Sequence, residues 1–149
     1  GGVWLSETIH QLVQRGIPVC AHLGLTPQSV NVFGGYRVMG RTPKEAKSIL
    51  ADAVEIQDAG ASMLLLECVP EKLAADISSK LDIPVIGIGA GAGTDAQVLV
   101  LQDLLGLTEK PAKLVENFMA DADSIQDAIA AFVKAVKDGS YPTAQHTYQ

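Results

Sequence analysis

The apolar positions along the chain fall into two alternating rhythms. Leu5, Ile9, Leu12 and Val13 recur at helical spacing within residues 4–14, and Gly16 follows as a stop signal. The next segment, "IPVCAHLGL" at 17–25, is a short continuous apolar run between proline and a turn, the pattern of a buried strand. A long segment rich in turn residues, "TPQSVNVFGGYRVMGR", reads as a loop. It ends at Thr42-Pro43-Lys44-Glu45, a capping box with proline at the first helical position. The helix it opens carries Ala46, Ile49, Leu50 and Ala53 toward Gly60.

"SMLLLEC" is the second strand, and Pro70-Glu71 start a helix with Leu73 and Ile77 on one face, ending near Leu81. "IPVIGIGAGAG" is a third strand that runs straight into glycine. "AQVLVLQDLLGL" is ambiguous, with "VLVL" suiting a strand and "LQDLLGL" a helical turn. Ile125, Ile129, Phe132, Val133 and Val136 mark an amphipathic tail helix over about 124–138, capped by Ser124 or Asp123 and stopped by Gly139. "SYPTAQHTYQ" reads as an extended end.

Because the strands are continuous rather than alternating apolar runs, both of their faces are expected to be covered, as in parallel βα units. "GIPV" at 16–19 and "DIPV" at 82–85 each close a helix and open a strand, two units apart at roughly 33 residues per unit. A (β/α)₈ barrel takes about 250 residues, at least roughly 200. With 149 residues and about half the strands, the chain reads as one domain, 1–149, forming the second half of such a barrel. Gly1 is not a methionine and leads at once into "GVWL", so the expectation is a piece of something longer.

Composition narrows the function classes. Apolar residues at 48% and charged residues at 19% suit a folded, well-buried domain. A net charge of −6, scattered rather than blocked, argues against a nucleic-acid partner. No apolar run approaches the roughly 20 residues of a membrane span, and no signal-peptide pattern is present. Cys20 and Cys68 are spaced for neither zinc nor redox chemistry and read as small buried hydrophobes in a reducing cytoplasm.

Barrel enzymes place their reactive groups at the C-terminal ends of the strands. That rule selects His22 in "PVCAHLGL", Glu67 in "LLLECVP" and the glycines of "GIGAGAG". An unpaired buried carboxylate costs several kcal/mol, so Glu67 needs a reason. It either faces the dipole of the following helix or stands at a mouth open to a ligand, where a carboxylate can serve as a base near neutral pH. His22 reads as a hydrogen-bonded structural histidine or as a ligand-binding one. The glycine run matches neither a P-loop nor GxGxxG and reads as close backbone approach. His10 and His146 are surface residues by default, and Arg37 and Arg41 either meet an anion or are solvated.

"VCAHLGLTPQSVNVFGGYRVMGR", "LLLECVP" and "IPVIGIGAG", in this order, closely resemble the ketopantoate hydroxymethyltransferase family over nearly the whole chain. The resemblance implies a Mg²⁺-binding (β/α)₈ barrel in a decameric, cytoplasmic enzyme of pantothenate biosynthesis. It implies transfer of a one-carbon unit from 5,10-methylenetetrahydrofolate to 3-methyl-2-oxobutanoate through a metal-stabilised enolate, giving 2-dehydropantoate. By position, the resemblance makes Glu67 the base and His22 a residue that helps hold the keto acid. Gly1 and Gly2 match glycines that follow a family glutamate near the metal. No metal ligand carries over: the family's metal carboxylates and its keto-acid lysine and serine lie in the part that precedes Gly1, and Asp52, Asp58, Asp95 and Asp103 do not match them. Two other readings stand beside this one. One is a non-catalytic half-barrel or interaction module. The other is a different Mg²⁺-dependent barrel acting on 2-oxo acids, against which the long loop after the first strand argues.

Overall fold

Helix and strand alternate from the first turn onward, and local chemistry accounts for most of the boundaries. The structure is a computed structural model that describes residues 1–149. A 3-10 turn, Val3–Leu5, leads into α1 (Ser6–Val13), followed by β1 (Cys20–Gly24). The segment expected as pure loop holds a 3-10 turn, Pro27–Ser29, and a one-turn helix α2 (Val30–Phe33) that Gly34 stops in a left-handed conformation. α3 (Pro43–Asp58) begins at the capping box: the Thr42 hydroxyl accepts the Glu45 N–H at 3.2 Å and the Glu45 carboxylate accepts the Thr42 N–H at 3.3 Å. Then come β2 (Met63–Glu67), α4 (Glu71–Lys80) and β3 (Val85–Ile88).

The ambiguous segment forms a two-residue β4 (Ala96–Gln97) and a single turn α5 (Leu101–Leu104); the helical turn falls where expected, but "VLVL" forms no strand. α6 (Ile125–Asp138) is capped by Ser124, whose hydroxyl accepts the Asp127 N–H at 3.1 Å. The terminal segment is not simply extended: it carries a 3-10 turn, Ala144–His146, closed by a box in which Thr143 and His146 satisfy each other's backbone.

The four strands form one parallel sheet in the order β1-β2-β3-β4, the α/β class read from the apolar runs and half the strand count of an eight-stranded barrel. Register pairs Gly24 with Glu67 and Glu67 with Ile88. Because side chains alternate across a strand, Ala21, Leu23, Leu64, Leu66 and Val85 share one face. That face is buried under α1, α3 and α4, against Ile9, Ala53, Ile56, Leu73, Ala74 and Ile77. A second cluster, with Leu25, Cys68, Ile88, Leu104, Leu114 and Ala128 at its centre, sits over the strand ends. Phe118, Phe132 and Tyr141 tie α6 into it, with edge-to-face centroid distances of 5.4, 5.5 and 5.8 Å.

The expectation that both sheet faces are covered holds for only one. Cys20 and Met63, on the face away from the helices, are exposed, and His22, Leu65 and Ile86 there are half-buried. Cys20 is therefore not the buried hydrophobe its apolar neighbours suggested. The apolar character of this second face is the character of a barrel interior. No helix is long and apolar enough to cross a membrane.

Candidate active site

Strand alternation places Glu67. Leu64 and Leu66 are fully buried beneath the helices, so Leu65 and Glu67 point to the opposite face. Being last in β2, Glu67 stands at the sheet's C-terminal edge rather than among the leucines. His22 lies on the same face of the adjoining strand, paired with Leu65 and so one step back from Glu67. Its Nε2 is 3.1 Å from Glu67 Oε2, and the two side chains keep 24% and 16% of their surface open. The contact is close but not aligned as a hydrogen bond, which leaves the buried His22 Nε2 unpaired. A buried polar nitrogen in that condition is a ready partner for a ligand oxygen.

The turn after Glu67 is tightly held. The Leu25 N–H donates to Glu67 O at 2.8 Å, the Cys68 N–H to Ile88 O at 2.9 Å, and the Met39 N–H to Cys68 O at 2.9 Å. Exits from β1, β3 and the long loop thus converge on residues 67 and 68. Cys68 itself has φ of 49°, a left-handed conformation rare outside glycine, and these bonds keep it there. A cleft of about 620 Å³ opens in front of Glu67, walled also by Cys68, Ile88, Leu114, Tyr148 and Arg41 among others; His22 does not line it. A second cavity of about 450 Å³ reaches His22 from the β1 side, past Gly1, Met39 and Asp52.

The remaining candidates are placed as follows. In the glycine run, a Cβ on Gly91 would lie 2.4 Å from the Glu71 side chain, so the run serves close packing of the strand exit on α4. Arg37 lies 3.5 Å from Glu45 in a half-open ion pair of the kind that contributes little. Arg41 borders the cleft. His10 is exposed, but His146 is not the surface residue its tail position suggested. Its Nδ1 accepts the Thr143 N–H at 3.2 Å and its Nε2 lies 3.0 Å from Glu116 Oε2. The contact with Glu116, and the return of Tyr148 to the mouth, come from partners about thirty residues or more away, for which no local pattern exists.

The ligand chemistry of the site is one carboxylate, one imidazole and one buried thiol. Mg²⁺ takes octahedral oxygen donors, so these residues do not make a magnesium site by themselves. Nor do three or more His, Cys, Asp or Glu side chains converge elsewhere. Asp95 accepts from Ser78 and the Val85 N–H, and burial pushes the Asp52 carboxyl up.

Burial, with the Glu67 charge adding to it, pushes the Cys68 thiol up to about 12. The thiolate is the reactive form, so Cys68 should resist alkylation at pH 8 while exposed Cys20 reacts. Mass spectrometry after iodoacetamide should show one modification on the native chain and two in guanidinium. Native labelling of Cys68 would show that the turn after Glu67 opens readily.

Fold and site together define a parallel β/α half-barrel that brings a carboxylate and an imidazole within 3.1 Å of each other toward the C-terminal ends of its strands. Residues 1–144 match the sequence profile described as ketopantoate hydroxymethyltransferase, and the chain belongs to that family. It is 58% identical over 150 aligned positions to 3-methyl-2-oxobutanoate hydroxymethyltransferase 2 of Pseudomonas aeruginosa and 57% to the protein of the same name in Pseudomonas entomophila. It is 55% identical to 3-methyl-2-oxobutanoate hydroxymethyltransferase of Pseudomonas fluorescens. Each alignment takes in 99% of this chain and 56% of the relative, so the chain spans about half the length of the curated relatives it matches.

Proposed function

We propose that this chain supplies the proton-transfer half of a site that moves a hydroxymethyl group from 5,10-methylenetetrahydrofolate to 3-methyl-2-oxobutanoate. The observation that carries the reading is the Glu67–His22 pair, 3.1 Å apart at the strand ends of a family member. The hydrogen to be removed is on C3, beside the ketone. Glu67 takes it as general base. Water releases the one-carbon unit from the folate as formaldehyde, its two C–N bonds breaking and the water protons going to the two nitrogens. The electron pair left on C3 forms the new C–C bond to that carbon, whose oxygen takes the proton from Glu67 as the new hydroxyl. His22 offers its unpaired Nε2 to the keto-acid oxygen that gains charge. Magnesium, which the resemblance implies, would be held by carboxylates outside residues 1–149, and no step here runs through it. Two free thiols suit a cytoplasmic setting.

The test is proton NMR of 3-methyl-2-oxobutanoate in D₂O with Mg²⁺ and no folate, following loss of the C3–H signal. The sample is this chain joined to the part of the Pseudomonas aeruginosa relative that it does not span. Exchange that depends on Glu67 supports the reading. A folded sample that exchanges nothing overturns it and leaves a half-barrel without chemistry of its own. In the same sample, His22→Asn should raise KM by about 10–100-fold, the worth of a hydrogen bond to a charged group. A loss of kcat as large as that of Glu67→Gln would show the two roles are wrongly divided.

A further inference from the structure

The C-terminal segment is tied down more firmly than a chain end usually is. The Tyr141 hydroxyl donates to Leu114 O at 2.7 Å, His146 meets Glu116 at 3.0 Å, and Lys113 Nζ donates to Thr147 O at 2.6 Å. The last tie is the Glu71 N–H, in the first turn of α4, which donates to Tyr148 O at 2.9 Å. Together these bonds lay residues 141–148 along the 113–116 segment and deliver the Tyr148 ring to the cleft in front of Glu67. The ring sits beside Gly89, where an added Cβ would lie 3.3 Å from Cε2, with the Lys113 ammonium 5.7 Å from its centroid.

The geometry points to Tyr148 as the residue that sets which 2-oxo acid fits, an inference that rests on the function proposed above. A base must stand about 3 Å from the proton it removes, so C3 of the keto acid lies next to the Glu67 carboxylate. The two methyl groups hang from that same carbon and must find apolar wall immediately around it. The apolar wall of this cleft includes Ile88, the register partner of Glu67, with Leu25, Leu114 and the Tyr148 ring. Ile88 is held in the sheet and Leu114 in the second cluster. Tyr148 is the wall that the anchored tail brings in, and it bounds the space left for the alkyl group.

The experiment compares binding of 3-methyl-2-oxobutanoate with that of 3-methyl-2-oxopentanoate, one methylene longer, by NMR titration of the joined protein. Wild type should favour the shorter acid. Tyr148→Ala should shift the ratio of the two affinities toward the longer acid by about tenfold, the lower end of what one methylene decides. Tyr148→Phe should keep the ratio, because the ring rather than the hydroxyl forms the wall. A ratio read on one sample does not change with the fraction folded, and Tyr148→Leu serves where the alanine variant does not fold. Wild type that does not distinguish the acids, or a ratio unmoved by both truncations, overturns the inference. Exchange that persists in Glu67→Gln while the ratio shifts as stated would sink the base assignment and leave the wall standing.

Discussion

Glu67→Gln should leave the fold intact and lower C3 proton exchange by about 10² to 10⁴, the usual worth of a general base. The amide has the shape of the carboxylate and none of its capacity to take a proton. Structural loss should be small because nothing that holds the β2 exit uses the Glu67 side chain. The ties run through the Glu67 carbonyl, which accepts from Leu25, and through both backbone groups of Cys68. Replacing the charge does not strand a buried partner either, since the contact with His22 is not an aligned hydrogen bond. The expected pair of observations is an unchanged thermal midpoint and a C3–H signal that persists in D₂O. Glu67→Asp restores the proton acceptor but withdraws it by one methylene, and should recover only part of the rate. Exchange at the wild-type rate in the glutamine variant would assign the base elsewhere, and a lowered midpoint would show the carboxylate to be structural.

How much of this site could be read from the chain depends on how far apart the interacting residues lie. Thr42 and Glu45 are three residues apart, and their reciprocal bonds follow from helix geometry alone. The same is true of the Ser124 cap. The βα order was legible because apolar runs and glycine or proline stops are local signals, and a carboxylate at the end of "LLLECVP" stood out for the cost of burying it. That Glu67 and His22 touch is a different kind of fact. It depends on the register of β1 against β2, which is set by pairing over more than forty residues of intervening chain. Continuous apolar strands indicate two faces needing cover but not which face the helices take, so the exposure of Cys20 is not legible in its neighbours. The burial of His146 is not legible for a related reason: it depends on Glu116 and Tyr141 meeting it, and the tail's composition alone looks polar. β4 stops after two residues although "VLVL" favours strand, because Val100 is the N-cap of α5 and Leu101 its first residue.

The close approach of the β1 and β2 exits rests on one small residue, and Gly24→Ala should show it. Gly24 pairs with Glu67, has φ of +86°, and an added Cβ would lie 2.2 Å from the Glu67 carbonyl oxygen and 2.8 Å from Val69 Cγ1. The first contact is with backbone, so no rotamer change relieves it. The left-handed conformation costs a non-glycine residue about 1–2 kcal/mol, and crowding a packed site typically another 1–3, so about 2–5 kcal/mol of stability should be lost. The displaced atom is the acceptor of the Leu25 N–H bond that joins the two strand exits. Relief therefore moves Glu67 away from His22 rather than moving some distant loop. A displacement near 1 Å can cost about 10²-fold in rate, so exchange per folded molecule should fall as well as stability. Gly16→Ala is the control, because Gly16 has φ of +76° with nothing within 4 Å of an added Cβ. It carries the conformational cost without the crowding. Urea midpoints and exchange rates of the two variants should separate, with Gly16→Ala less destabilised and unchanged in exchange. Equal losses in both would mean that left-handed strain accounts for the effect and that Gly24 does not hold the base in place.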